Sequence, residues 1–333
     1  MKILGIETSC DETACAVVED GRKILANTVA SQIDLHAKTG GVVPEVAARE
    51  HVLKMMPVLD ECLEECGCDW DEIDAVAVTR GPGLVSSLII GTETANVISY
   101  VKDKPLIPVQ HITGHIYANW LERDEEPAFP IVILTVSGGH NEIILMRDHF
   151  DFEVLGETRD DAAGEAFDKV ARILGLGYPG GPAISKISED ADEKAFDLPR
   201  SYLEKGSLDF SFSGLKTAVM NVARDMDEGS NADLAASFQE AVCDVLSNKL
   251  IMAAEKMGVN EVHLAGGVSA NLRLREMITG KLPDDIEFRY PKKIHYCTDN
   301  AAMIAAAGYF HYKKSPEKFI SKTNITPTTS FEV

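Results

Sequence analysis

One arrangement occurs twice in this chain, and it limits the fold more than any other feature. Residues 3–6 read as a short apolar strand, and Glu7-Thr8-Ser9-Cys10-Asp11-Glu12-Thr13 follows, rich in hydroxyls and acids. A second strand over 14–18, a turn at Asp20-Gly21 and a third strand over 23–31 complete the unit. The same order returns later. Residues 131–136 form a strand, Ser137-Gly138-Gly139-His140-Asn141 a turn, 142–146 a strand, and 152–155 open a third. The echo is one of kind rather than of identity. Two halves that each open on a hairpin around a small polar turn predict a duplicated α/β fold that clasps a nucleotide. In such folds the two turns face each other across a cleft and offer backbone N–H groups to phosphates.

Between the two units, strands alternate with helices. Pro44 suits a first helical position and opens a helix to about residue 66, kinked at Pro57. A strand over 73–79, a loop Arg80-Gly81-Pro82-Gly83, a helix over 84–100 and a strand over 105–110 come next. A helix carrying His111 and His115 then runs to about residue 123. The charged, Pro-marked stretch 124–127 is the expected boundary, giving subdomains 1–126 and 127–333. The second is enlarged by a helical insertion at about 160–230. Its expected parts are a helix over 160–174, an irregular glycine-rich loop over 175–182, an irregular polar stretch over 188–209, and helices over 213–226 and 232–257. A strand over 262–265, Gly266-Gly267-Val268-Ser269-Ala270-Asn271, a further strand over 286–290 and a small-residue helix over 301–312 follow. The Thr-rich tail from residue 321 is expected to be loosely ordered.

The 333 residues suit two domains, and 45% hydrophobic content is ordinary for a globular chain. No apolar run reaches bilayer length. The acid at Glu7 comes too early for a signal peptide, so the expected location is the cytoplasm. A net charge of −21 repels nucleic acid unless basic residues are gathered locally or supplied by a partner. Seven cysteines form no disulfide framework. Cys62, Cys66 and Cys68 cluster at a helix end and read as packing residues and incidental thiols, with a metal or redox role as the alternative.

The chemistry centres on His111-Ile112-Thr113-Gly114-His115. Histidines four apart share one helix face, where both imidazoles reach one divalent metal. They follow a buried strand directly, and strand-to-helix junctions are where open α/β sheets bind ligands. The bland reading is two ordinary helical histidines. A zincin protease needs Glu directly after the first His, and Ile112 stands there. Asp299, just before a helix, reads as an N-cap or as the carboxylate that completes a two-His, one-carboxylate set suited to ferrous iron or zinc. Ser137-Gly138-Gly139 and Gly266-Gly267 are phosphate-turn candidates, with Asn271 as a polar contact. Asp161, Glu165 and Asp168 share one helix face among small residues, and Asp168 is placed to accept bonds from a ribose or amide. Lys216 has the wrong upstream glycine spacing for a phosphate loop.

These stretches, together with Gly40-Gly41-Val42-Val43-Pro44-Glu45, Gly81-Pro82-Gly83-Leu84, Asp160-Asp161-Ala162-Ala163-Gly164-Glu165-Ala166-Phe167-Asp168-Lys169, Tyr178-Pro179-Gly180-Gly181-Pro182, Phe210-Ser211-Phe212-Ser213-Gly214-Leu215-Lys216-Thr217 and Cys297-Thr298-Asp299-Asn300, resemble the TsaD family in its bacterial form. The match keeps the family's order over residues 3–308. Asn141 stands where Thr is usual, Ala301 where Gly is common, and Ser86-Ser87 where Gly-Ala is common.

The resemblance implies an actin/Hsp70/sugar-kinase-like fold of two subdomains around a nucleotide cleft. It implies transfer of a threonylcarbamoyl group from threonylcarbamoyl-AMP to the exocyclic amine of adenosine 37, in tRNAs reading codons that start with A. A divalent metal, Fe(2+) first and Zn(2+) second, would be held by His111, His115 and Asp299. The adenylate would contact Thr135, Val136, Ser137, Gly138, Gly139, Asp168, Gly181 and Asn271, and ATP or ADP fit the same cleft. Implied partners are tRNA, TsaB-like and TsaE-like proteins and an upstream threonylcarbamoyl-AMP synthase, with no membrane. No residue is assigned as general base. The rival readings are a metallopeptidase, an older label for the family, and a small-molecule kinase of the same fold.

Overall fold

A computed structural model describes residues 1–226, 229–319 and 324–328. The chain divides into two compact units, one of Met1–Glu126 with Pro291–Val333 and one of Pro127–Tyr290.

The first unit is built on a five-stranded sheet. β1 (Lys2–Glu7), β2 (Glu12–Glu19) and β3 (Lys23–Ser31) form an antiparallel meander. A short helix α1 (Ile33–Ala37) and the long α2 (Pro44–Cys66) follow. β4 (Ala75–Gly81) then pairs parallel to β1. After α3 (Val85–Lys102), β5 (Leu106–Gln110) pairs parallel to β4. The spatial order is β3-β2-β1-β4-β5. β5 is an edge strand, which is why it tolerates Pro108. Leu4, Ile6, Cys15, Val17, Val76 and Val78 of the sheet pack on Met55, Val58, Leu59 and Cys62 of α2 and on Ala95 and Ile98 of α3.

α4 (His111–Tyr117) and α10 (Ala301–Lys314) complete this unit. α10 seats directly on β1. A Cβ on Gly5 would lie 2.2 Å from the Ala301 carbonyl oxygen, and one on Gly308 would lie 2.6 Å from the Ala77 Cβ. Its run of alanines is therefore a requirement of close approach.

The second unit repeats the plan. β6 (Ile131–Val136), β7 (Asn141–Asp148) and β8 (Asp151–Glu157) form a meander, β9 (Glu261–Ala265) pairs parallel to β6, and β10 (Glu287–Arg289) pairs parallel to β9. The order β10-β9-β6-β7-β8 is the first sheet's order read from the other end. Between β8 and β9 lie α5 (Ala163–Ile173), α6 (Gly180–Ile187), α7 (Ser213–Asp225) and α8 (Asn231–Met257). α9 (Leu272–Lys281) links β9 to β10. Val132, Leu134, Ile143 and Leu145 pack on Phe167, Phe238, Val242 and Leu246 in one large core. No described helix is long and apolar enough to cross a membrane.

Several expectations change. Residues 291–333, read as part of the second half, group with the first unit because α10 needs the glycine-lined face of β1. The glycine-rich loop over 175–182 ends early, since Gly180, Gly181 and Pro182 form the first turn of α6. Proline fits there because first-turn N–H groups have no intrahelical acceptor. The helix expected from residue 160 begins at Ala163, so Asp161 stands ahead of it and off the stripe. The histidine helix stops at Tyr117, followed by one 3-10 turn, rather than reaching residue 123. Residues 321–323 and 329–333 of the tail lie outside the described residues, but 324–328 are held. Asn96 exchanges two hydrogen bonds with the Ile325 backbone, Thr328 N–H donates to the Arg80 carbonyl, and Ile325 enters the core. Cys62 is buried, and Cys66 is joined to Cys68 by a disulfide.

Candidate metal centre and nucleotide turn

In the first unit, local chemistry brings three ligand-bearing side chains together. β5 ends at Gln110, whose side-chain oxygen accepts the Thr113 N–H and so starts α4 with His111 at its first position. Gly114 lets α4 press against α10, since a Cβ there would lie 2.6 Å from Ile304 Cδ1. At the start of α10 the cap is Asn300, whose side chain accepts the Met303 N–H. The N-cap reading of Asp299 therefore passes to its neighbour, and the Asp299 carboxylate is turned to the histidines.

Both Nε2 atoms meet one oxygen. His115 Nε2 lies 3.1 Å from Asp299 Oδ1, and His111 Nε2 lies 3.5 Å from the same atom. The three ligand atoms lie within 4.8 Å of one another. The rings are edge-on, 4.7 Å apart at their centroids. Ile112 is buried, so an apolar side chain occupies the position of a zincin base.

The surroundings favour a cation. Burial works against a charged His111, but the carboxylates of Asp299 and Glu7 outweigh it and push the imidazole up to about 9. Burial likewise opposes a charged Asp299, and the two histidines outweigh it and hold the carboxyl down at about 2. Glu12 is raised well above the usual carboxylate range, first by burial and then by Asp299 and Asp11. Acids crowd this corner, with Asp11 and Asp299 both acting on Glu12. Two imidazole nitrogens and a carboxylate are a donor set that suits iron or zinc and leaves coordination positions open.

In the second unit, the expected nucleotide residues gather at the carboxyl ends of β6 and β9, the end at which α/β sheets bind ligands. The β6–β7 turn is closed internally, with Ser137 N–H donating to the His140 carbonyl and His140 N–H to Ser137 Oγ. The glycines here divide into two kinds. A Cβ on Gly164 would strike Ser137 O at 2.6 Å, one on Gly266 would strike Val136 O at 2.4 Å, and one on Gly180 would strike Asp168 Cα at 2.5 Å. Those three bring backbones into contact. Gly138, Gly139, Gly181 and Gly267 face space in which a Cβ would touch nothing. Their bareness leaves room for an approaching ligand.

The other expected contacts are placed as follows. Asp168 Oδ1 accepts the Gly180 N–H at 2.7 Å, beside Gly181. The Val136 side chain is in the core, so only its main chain is available to a ligand. Thr135 is buried, and its hydroxyl has no hydrogen-bond partner among the described residues. Asn271 caps α9 through Leu274 N–H and donates to Gln239 Oε1 and Ser185 Oγ. Lys169 and Lys216 both hold Asp161. Sequence reading missed Gln239 and Ser185, which lie on interior helix positions with no local mark. It also gave no role to Glu7, although a carboxylate ending a wholly apolar strand was a visible signal.

Comparisons with known proteins identify the family and the fold. Residues 23–306 match the family model described as TsaD, tRNA N6-adenosine threonylcarbamoyltransferase. A relative of that name from Symbiobacterium thermophilum is 55% identical over 315 residues, covering 93% of this chain and 92% of its own. One from Dehalococcoides mccartyi is 54% identical over 314 residues, covering 94% of each. Among solved structures, HypF of T. kodakarensis superposes with a TM-score of 0.65 at 14% identity, over 98% of this chain and 49% of that one. The activator of 2-hydroxyisocaproyl-CoA dehydratase from Clostridium difficile, with bound ADPNP, gives 0.56 at 15% identity, over 96% of this chain and 98% of that one. These likenesses assign the fold to the actin/Hsp70/sugar-kinase class. The chain belongs to the TsaD family of tRNA N6-adenosine threonylcarbamoyltransferases and is a transferase of tRNA modification.

Proposed function

We propose that the chain moves a threonylcarbamoyl group from threonylcarbamoyl-AMP to the exocyclic amine of adenosine 37, in tRNAs that read codons starting with A, and that it does so with one divalent ion. The observation that carries the finer reading is the meeting of His111 Nε2, His115 Nε2 and Asp299 Oδ1. These three residues would hold Fe(2+), or Zn(2+). A bound ion there supplies Lewis acidity to the oxygens of the donor.

The chain's own groups do the rest. The main-chain N–H groups of Gly138 and Gly139 bind the adenylate phosphate, the Ser137 N–H being taken by the His140 carbonyl, and the bare faces of Gly138, Gly139 and Gly181 admit it. Asp168, oriented by the Gly180 N–H, accepts a ribose hydroxyl. Asn271 is locked by Gln239 and Ser185 and so presents a rigid edge to the nucleoside. In the transfer, the amine nitrogen bonds to the carbamoyl carbon and loses a proton. The anhydride C–O bond breaks, and AMP leaves with the electron pair. A resident ATP or ADP would use the same turn, as the ADPNP bound to the dehydratase activator suggests.

A TsaB-like partner has a surface to cover. Val52, Leu53 and Met56 on α2, and Val97, Tyr100 and Val101 on α3, are exposed apolar side chains on two packed helices. A TsaE-like protein and an upstream threonylcarbamoyl-AMP synthase complete the partner set, and the chain's own acidity fits a subunit whose tRNA contacts are shared with partners.

The deciding experiment is mass spectrometry of nucleosides from tRNA incubated with the chain, its partners, threonine, bicarbonate and ATP. Threonylcarbamoyladenosine is the expected product. Its absence, where the Symbiobacterium relative yields it, overturns the proposal.

A further inference from the structure

The ligand atoms are only half of the first-unit site. Each imidazole has a second nitrogen, and what that nitrogen bonds decides which tautomer the ring adopts and where its other nitrogen points. The two histidines differ sharply in this respect. His115 Nδ1 is buried and has no hydrogen-bond partner among the described residues. His111 Nδ1 lies 3.1 Å from Glu7 Oε2 and 3.2 Å from Ser9 Oγ.

Glu7 is itself held in place by hydrogen bonds. It is the last residue of β1 and is fully buried. Its Oε1 accepts the Ser9 N–H, and its Oε2 accepts the Thr79 hydroxyl at 2.6 Å. Those two donors come from the turn after β1 and from the neighbouring strand β4, so the carboxylate is fixed from two sides. A buried charge costs free energy unless it is paired and bonded, and bare structural needs at this strand end would be met by an apolar residue. Ile6 and Val78 fill just that role one residue earlier on the same strands.

We propose that Glu7 is the positioning residue of the metal centre. Its Oε2 accepts the His111 Nδ1–H, fixes that ring as the Nδ1–H tautomer, and leaves Nε2 directed at Asp299. In that tautomer Nε2 carries a lone pair and no proton, so it would take an ion without releasing one, while the proton on Nδ1 stays shared with Glu7. Ser9 Oγ accepts from the same Nδ1–H as a minor branch. The inference rests on the metal reading above. It adds an asymmetry to that reading, because His111 is braced by a carboxylate and His115 is not.

The test uses the full chain and Co(2+) as the probe, read by its d–d absorbance. Wild type should bind one Co(2+), and Glu7→Gln should bind it about 10–100-fold more weakly, the usual loss when such an outer carboxylate is removed. Thermal melting establishes that the variant is folded. Equal affinity and an unchanged spectrum in a folded Glu7→Gln protein overturn the role of Glu7 and leave the metal site standing. Failure of wild type to bind overturns both. If Glu7→Gln does not fold, nitrogen NMR of 15N-histidine wild type loaded with Zn(2+) decides. The expected His111 has a protonated Nδ1 and a metal-bound Nε2, and a metal-bound Nδ1 sinks the inference.

Discussion

The turn after β1 and the turn after β6 occupy the same place in two copies of one sheet, and they have been finished in opposite ways. The first is packed with side chains. Glu7, Thr8 and Ser9 are buried, the Thr8 hydroxyl donates to the Ser87 carbonyl, and Gly83 and Gly91 give way so that α3 and its preceding loop can grip the turn. The second is stripped. Gly138 and Gly139 are exposed and carry nothing where a side chain would be. A filled turn positions other residues and accepts no guest. An empty turn has only its backbone to offer and admits an anion. The two loops hold equivalent places, and side-chain content alone separates the filled one, proposed to brace a histidine, from the bare one, proposed to admit a phosphate.

This contrast can be broken by experiment. The largest effect is expected at the first unit's ligands. Asp299→Ala should abolish metal retention and lower transfer by at least about a hundredfold, since a Lewis acid contributes several kcal/mol to such a transition state. Metal analysis after gel filtration, with turnover beside it, checks this. A metal-free Asp299→Ala enzyme of wild-type rate would remove the division of labour altogether.

The next effect belongs to the strand that leaves the stripped turn. Burial, and then Glu157, push Glu142 up to about 7 from 4.5. The folded state therefore holds this proton more tightly than the unfolded chain. The stability it contributes is complete below pH 4.5 and is lost as pH rises through 7, a change on the order of 3 kcal/mol. Glu142→Gln should match wild type in denaturant melts at pH 4.5 and exceed it at pH 8. Parallel curves at both pH values would show that this strand carries no such charge.

The smallest effect is the most discriminating. Gly164→Ala puts a methyl against Ser137 O and Gly138 N and should cost about 1–3 kcal/mol of stability. Gly138→Ala meets no protein atom and should leave the melting temperature alone while raising the KM for the adenylate. If both lower stability equally, the second turn is packed rather than open.

How much of this was readable in advance depends on the range of the interaction. The strands at 23–31 and 131–136 were legible to the residue, because alternation and apolar runs are local. His111 and His115 announced themselves by helical spacing. Asp299 was visible both as a cap and as the completing carboxylate, and local sequence could not choose between them, because Asp299 and Asn300 are equally good caps and only packing decides which one caps α10. Gly180-Gly181-Pro182 looked like a loop, because helix propensity counts against every one of those residues. Its place in a first turn depends on Asp168 catching the Gly180 N–H from another helix. The return of residues 291–333 to the first unit was invisible for the same reason, since a stripe of alanines does not say which sheet it covers.

That return has a consequence for how the protein is made. A ribosome releases His111 and His115 long before Asp299, with the whole of Pro127–Tyr290 emerging in between. Until α10 appears, the Gly5 face of β1 has no cover, and the histidine pair has Glu7 behind it but not the carboxylate of Asp299. The first unit is interrupted by the second. No nascent fragment that ends before residue 299 carries all three side chains, so a centre of the kind proposed could capture an ion only after the whole second unit has been made.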